Sequence, residues 1–569
     1  MRTREILPVD GRATDEYYWP VVSATVAPGR PEGEQVRPNG LTLYATCAAL
    51  ALAALAPVLW PGHVLVYDMV FTPEQPLNAA AFGLGDALPR AVPVDAVVAL
   101  LTQVVPGQVV QKVALLAIVF AGALGAGLLV PTEKTGVRIV AAVAYSWNAY
   151  VAERLFIGHW TLLLGYAALP WIALAGLRMR NGEPHAWTRL VLASLPAVLS
   201  APGGILALGT ALATAGRRKA WQVLAIGVVL NAPWWVPSLL QDGLSDPAGV
   251  EAFSARAENW GGPVLSVLGL GGIWNAEVVP ASRANPALPV ITLLLLGAAV
   301  LGLRELSKRL PVWPLAGLGV LGAVLALVAV LPGGVTALEA LIEHVPGAGL
   351  LRDGQKWVAW LALPFALGLA AAVERLRARL LVAVLLLGLV PDLVWGGLGR
   401  LEPVDYPADW AAVREELVDQ PGDVAVYPLS AFRRFDWNDR RTQLDPAPRY
   451  LPGTTVVDDS LSVGGRVVAG EDRRAARLRA GDLTGIGWVL VEHGTPGRVD
   501  ENLLARLEKV HDGPELALYR VPGAVAAEPN GPAAAPVVLA WVAAGSLIGA
   551  SLLWRWLPVG RFAAPRREE

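Results

Sequence analysis

The sequence predicts a polytopic α-helical membrane protein of about twelve spans, with a C-terminal α/β domain on the non-cytoplasmic side. Three observations carry this. Only 17% of the 569 residues are charged, against about a quarter in soluble domains, and 54% are hydrophobic. The apolar residues come in blocks of about 20, the length that crosses a bilayer core. One late segment, 398–535, breaks the pattern with ordinary polar composition. The same arithmetic excludes other classes. A formal net charge of −2, from 46 basic and 48 acidic residues, leaves no basic excess to bind nucleic acid. A single cysteine, Cys47, and six scattered histidines support neither a disulfide scaffold nor a metal-ligand spacing. No motif supports a divalent metal, so the cofactor is left open.

Residues 1–40 form a leader too polar for a cleaved signal and are placed in the cytoplasm. Spans follow at 41–61, 110–130, 137–156, 160–177, 221–240, 288–303, 310–331, 357–373, 380–396 and 536–556. The stretch 187–215 reads as one tilted helix or as a short hairpin. Ser200-Ala201-Pro202-Gly203-Gly204 breaks it, because a proline and two glycines signal a turn. Charge favours the hairpin. Lys134/Arg138, Arg178/Arg180/Arg189, Arg217/Arg218/Lys219, Arg304/Lys308/Arg309 and Arg375/Arg377/Arg379 all fall inside only if the chain turns back there. A membrane domain at 41–397, a last span and a cytoplasmic tail at 557–569 result, with both termini cytoplasmic in the plasma membrane.

This topology leaves four segments outside: 62–109, 241–286, 332–356 and 398–535. In the first, 94–105 has amphipathic helical spacing through Val97, Val98, Leu100, Leu101 and Val104, and 335–345 in the third does likewise. Both suit the membrane interface. In 398–535, runs at 406–419, 473–479 and 501–509 read as helices, and 423–427, 454–457, 487–492 and 516–521 as strands. Such alternation predicts βαβ-like units. Gly464-Gly465 reads as a turn rather than a phosphate loop.

Charges beside a membrane are costly, so the few on the outer face are the candidates for a site. Asp68 stands alone in Val64-Leu65-Val66-Tyr67-Asp68-Met69-Val70-Phe71. A carboxylate in such a run can serve as a general base, or simply cap a turn. Glu153, Arg154 and His159 sit at the outer end of 137–156; snorkelling anchors are the plainer reading. Arg352, Asp353 and Lys356 open the span at 357 and put two cations outside, against the general charge bias. Cations beside helix amides make an anion site. Glu258-Asn259-Trp260 joins an acid, an amide and an indole, a set that suits sugar binding, and Asp392 is a further acid. Many of the 21 tryptophans fall at span ends, as an aromatic belt requires.

The whole pattern resembles the GT-C glycosyltransferases, and among them the actinobacterial cell-envelope members. The resemblance rests on Asp68 in a long first outer loop, Asn148-Ala149-Tyr150-Val151-Ala152-Glu153-Arg154 followed by Gly158-His159, the break at 200–204, and Arg352 to Lys356. It implies an inverting-type enzyme that moves a sugar from a polyprenyl-phosphate donor to a glycan or glycolipid acceptor in cell wall biogenesis. Asp68 would be the base. Arg352, Lys356 and Arg154 would hold the donor phosphate. Tyr67, Glu153, His159, Glu258, Trp260 and Asp353 are the further candidates for substrate contact. Many members carry paired acids in the loop. Here no acid lies two residues from Asp68, and Glu74 and Asp86 are the nearest. A lipid-linked saccharide transporter or flippase is the main rival, weakened by spans almost free of midplane charge. A non-catalytic envelope scaffold is the other.

Overall fold

The computed structural model describes residues 38–554 apart from 86–88, 242–245, 248, 378, 421, 464–465, 471 and 524–530. The polar leader, the 557–569 tail, Asp86 and the Gly464-Gly465 turn lie outside the described residues. Among those described, eight helices are long and apolar enough to cross a membrane: Gly40–Leu59, Gly107–Leu129, Trp160–Arg180, Arg217–Leu240, Leu288–Leu306, Trp313–Val330, Gly354–Arg375 and Ala534–Trp554. The pair Arg379–Leu387 and Pro391–Leu398, bent by 72°, makes a ninth if it is one span. Large apolar side chains such as Leu294, Val320 and Leu539 are exposed on these helices, as lipid contact requires.

Two expected spans are broken. The 137–156 segment is two helices, Thr135–Ser146 and Ala149–Phe156. Asn148 causes the break. Its Nδ2 donates back to Tyr145 O at 2.7 Å, while its Oδ1 accepts from Val151 N at 3.1 Å and caps the second helix. The 187–215 segment is Ala186–Ser194 and Ala201–Ala215, with Ser200 Oγ capping Gly203 N at the foreseen break. Twelve crossings would need the bent pair and 135–156 to cross once each and the two halves of 186–215 to count separately.

Small residues bring the spans together. Leu288–Leu306 packs on Ala359–Ala372 with Gly302 against backbone, where an added Cβ would lie 1.8 Å from Gly368 O. The helices Val94–Thr102 and Gly334–His344, between candidate spans, form where amphipathic spacing placed them.

The C-terminal domain is α/β. Its strands are β1 Val424–Tyr427, β2 Phe432–Arg433, β3 Gln443–Leu444, β4 Thr455–Val456, β5 Leu461–Val463, β6 Arg466–Val468, β7 Trp488–Glu492, β8 Glu508–Asp512 and β9 Leu516–Arg520. Five form one mixed sheet in the order β4-β1-β7-β9-β8, parallel across β4-β1-β7 and antiparallel beyond. Helices Ala408–Asp419 and Arg473–Arg479 appear as the patterns predicted. The 501–509 expectation needs correction. Its helix ends at Leu504, and Glu508–Asp512 is an edge strand paired with β9. Sheet pairing overrode the local helical spacing. The two hairpins β2–β3 and β5–β6 were not foreseen.

Candidate functional site

Asp68 lies on a two-residue turn. Val66 and Met69 exchange backbone bonds, Val66 N to Met69 O at 3.2 Å and Met69 N to Val66 O at 2.9 Å. Tyr67 therefore takes the left-handed region, φ 42°, which is strained for a residue with a side chain. Two things hold the turn from below. Gln111, wholly buried in helix Gly107–Leu129, donates to Val64 O at 2.7 Å and accepts from Val64 N at 2.9 Å. Gly158, φ 78°, lies so close that a Cβ would sit 2.4 Å from Met69 N and 2.5 Å from Val66 O. From above, the C-terminal domain pairs with it. Tyr67 N donates to Thr442 O at 2.6 Å, and Leu444 N donates to Tyr67 O at 2.7 Å.

The Asp68 side chain faces the membrane body. Its Oδ2 lies 2.8 Å from His159 Nε2, and His159 Nδ1 lies 2.8 Å from Arg154 Nη1. A guanidinium can only donate, so Nδ1 must accept. That leaves the imidazole neutral with its proton on Nε2, donated to Asp68. Arg154 is in turn held by Asp353, at 2.8 and 3.1 Å, and by Gln355 Oε1. Burial alone would raise the Asp353 carboxyl, but Arg154 and Lys356 hold it well below the usual carboxylate range.

Asp68, His159 and Asp353 border one cavity of about 970 Å³. Its wall includes Tyr67, Asp68, His159, Arg352, Asp353 and Lys356, which the sequence singled out. Arg352 also packs its guanidinium 4.8 Å over the Phe253 ring. Phe253 meets Trp274 edge-on at 4.7 Å. The sequence-expected cations and the carboxylate thus share one space.

The remaining candidates lie behind or beyond this wall. Arg154 is wholly buried with its fork taken by Asp353, His159 and Gln355, so it positions His159 rather than meeting a phosphate. Glu153 is also buried, accepting from Ile273 N at 3.2 Å and Gln355 Nε2 at 3.4 Å. Glu258 pairs with Arg283 at 2.7 Å and takes Gly272 N, which fixes the second outer loop. Trp260 is 67% exposed, with its indole donating to Pro286 O at 2.7 Å. Neither Glu258 nor Trp260 borders the cavity. Asp392 accepts from Ser282 N at 3.2 Å.

Several wall residues were not singled out. In the same outer loop the acid, amide and indole on the wall are Glu277, Asn275 and Trp274, not Glu258-Asn259-Trp260. The repeated composition was the signal available. Glu277 accepts a hydrogen bond from the Tyr67 hydroxyl, and burial, then this carboxylate, push that phenol up to about 12. The outer domain adds Ser430, Phe432, Arg434, Thr442, Ser460 and Leu461. Among the described residues no group of three or more His, Cys, Asp or Glu is placed to hold a metal ion.

No protein-family model and no curated protein sequence matches the chain. Among solved structures it is similar to the arabinofuranosyltransferase AftD from Mycobacteria, seen by single-particle cryo-EM. The TM-score is 0.53 at 19% identity, over 86% of this chain and 40% of that one. A mutant of AftD gives 0.50 at 17% identity, over 86% of this chain and 42% of that one. The chain therefore spans about two fifths of the length of the structures it matches. The likeness is one of fold: a polytopic helical membrane body with a sheet-containing C-terminal domain.

Proposed function

We propose that this chain is a cell-envelope glycosyltransferase of the actinobacterial GT-C type. It moves a sugar from a polyprenyl-phosphate donor to a glycan or glycolipid acceptor on the outer face of the plasma membrane. The carrying observation is that Asp68, Arg352 and Lys356 border one cavity although they come from two separate outer segments. A fold shared with an arabinofuranosyltransferase supports it.

In this reading Asp68 takes the proton of an acceptor hydroxyl as the oxygen attacks the anomeric carbon. The bond from that carbon to the phosphate oxygen breaks, and its electron pair leaves on the polyprenyl phosphate. Arg352 and Lys356 stabilise the charge that grows there. Attack opposite the leaving group inverts the anomeric centre. His159 holds Asp68 Oδ2 and leaves Oδ1 to receive the proton. The topology belongs to the same proposal: both termini cytoplasmic, 398–535 extracytoplasmic, and twelve spans in which 135–156 and 379–398 count once each and the hairpin at 186–215 counts twice.

Asp68→Asn tests the reading. In membranes supplied with donor lipid, transfer should fall on the order of 10² to 10⁴-fold. The variant should still insert and still bind farnesyl phosphate. Unchanged glycan assembly would remove the base from the proposal and favour the flippase or the scaffold.

A further inference from the structure

We propose that the β2–β3 hairpin of the outer domain is the binding subsite for a neutral saccharide acceptor, an inference that rests on the transferase reading above. Two neighbouring residues divide the cavity. Asp68 is tied to the membrane body through His159. Tyr67 is tied to the hairpin through Thr442 and Leu444. The reacting carboxylate thus stands at the seam of two walls.

The membrane-body wall has the cations for a phosphate, Arg352 and Lys356. The hairpin wall has a different chemistry. Strand alternation turns Arg433 inward, where it is fully buried against Asp445, at 2.7 Å, and Glu492. Its neighbours Phe432 and Arg434 border the cavity instead. Arg434 Nε donates to Thr442 Oγ1 at 3.0 Å, which orients the fork. Its two Nη groups have no hydrogen-bond partner among the described residues. A planar fork of this kind matches two hydroxyl oxygens of one sugar ring. Phe432 stands edge-on to Tyr67, centroids 6.4 Å apart, and offers an apolar face to sugar C–H groups. Glu277 and Arg434 act with opposite sign on the Tyr67 hydroxyl, so one acid stands beside the one cation of this wall. Hydroxyls, one aromatic face and balanced charge describe a neutral glycan, not a second lipid phosphate.

The test uses the full chain in nanodiscs and needs no turnover. The probes are octyl glycosides of arabinofuranose, mannose, galactose and glucose, with farnesyl phosphate as the second ligand, followed by saturation-transfer NMR. At least one glycoside should bind saturably to the wild type. Arg434→Ala and Phe432→Ala should weaken it tenfold or more, and Phe432→Tyr should restore it. Farnesyl phosphate should bind all three variants as it binds the wild type, which shows that they fold. Asp68→Asn should keep glycoside binding while losing transfer, so the two proposals fail separately. No saturable binding of any glycoside to the wild type, or equal binding by the variants, overturns the subsite. So does competition between glycoside and farnesyl phosphate for one position.

Discussion

The two oxygens of Asp68 stand in different situations. His159 donates to Oδ2 and Arg154 fixes which ring nitrogen carries the proton. The side chain of His159 is thus a spacer with one acceptor and one donor at set positions. Glutamine offers the same pair. His159→Ala should lower kcat on the order of 10²-fold with little change in acceptor KM, and His159→Gln should recover most of it. Steady-state kinetics on membranes checks this. Recovery by Ala alone, or no recovery by Gln, would rule out the positioning role. Asp68 was legible in the sequence because it stands alone in an apolar run, and Arg352 and Lys356 because they break the general charge bias. Arg154 was legible as important but not as buried: its partners Asp353 and Gln355 come from 199 and 201 residues away. Phe432 and Arg434 gave no signal, since they sit in a polar domain where one more Arg is ordinary.

At the scale of elements, the 62–106 loop between the first two candidate spans is a scaffold in its own right. Its start is clamped by His63, which pairs through its backbone with Val404 and packs edge-on against Tyr406 at 5.5 Å. Neither ring nitrogen of His63 has a partner among the described residues. Burial, with Lys112 adding and Asp405 opposing, lowers its pKa from 6.5 to about 4. The sign follows. The unfolded chain takes up a proton near 6.5 that the folded chain refuses until about 4, so stability is full above 6.5 and falls as pH drops. Across that window the slope approaches about 1.4 kcal/mol per pH unit. Limited proteolysis of the loop from pH 7.5 to 5 should show faster cleavage at the acid end. His63→Phe should flatten that dependence; an unchanged profile would exclude His63 as its source. Element type was legible wherever periodicity was long, as in Val94–Thr102 and Gly334–His344. It failed at Asn148, where a single capping side chain outweighed an apolar run. It failed again at Glu508–Asp512, where the partner strand decides.

For the whole molecule, the helical body and the C-terminal domain are joined at the turn that bears Asp68. The buried Arg433 with Asp445 and Glu492 holds the hairpin that holds Tyr67. Arg433→Ala leaves two carboxylates buried without their cation, a change that costs about 3–5 kcal/mol. Transfer should be lost and the outer domain should become protease-sensitive, while the spans stay inserted. Pulse proteolysis alongside the transfer assay checks this. An unfolded outer domain with normal transfer would sever the link. The joint also sets the order of assembly during synthesis. Asn438 reaches back 373 residues to Leu65, and the Tyr67 backbone groups wait for Thr442 and Leu444. The turn that bears Asp68 leaves the ribosome early and closes late. A chain released before its outer domain has been made would carry the carboxylate but not its final posture. On the transferase reading, fragments that end before Leu444 should insert yet give no transfer, because the Tyr67 backbone groups lack their partners.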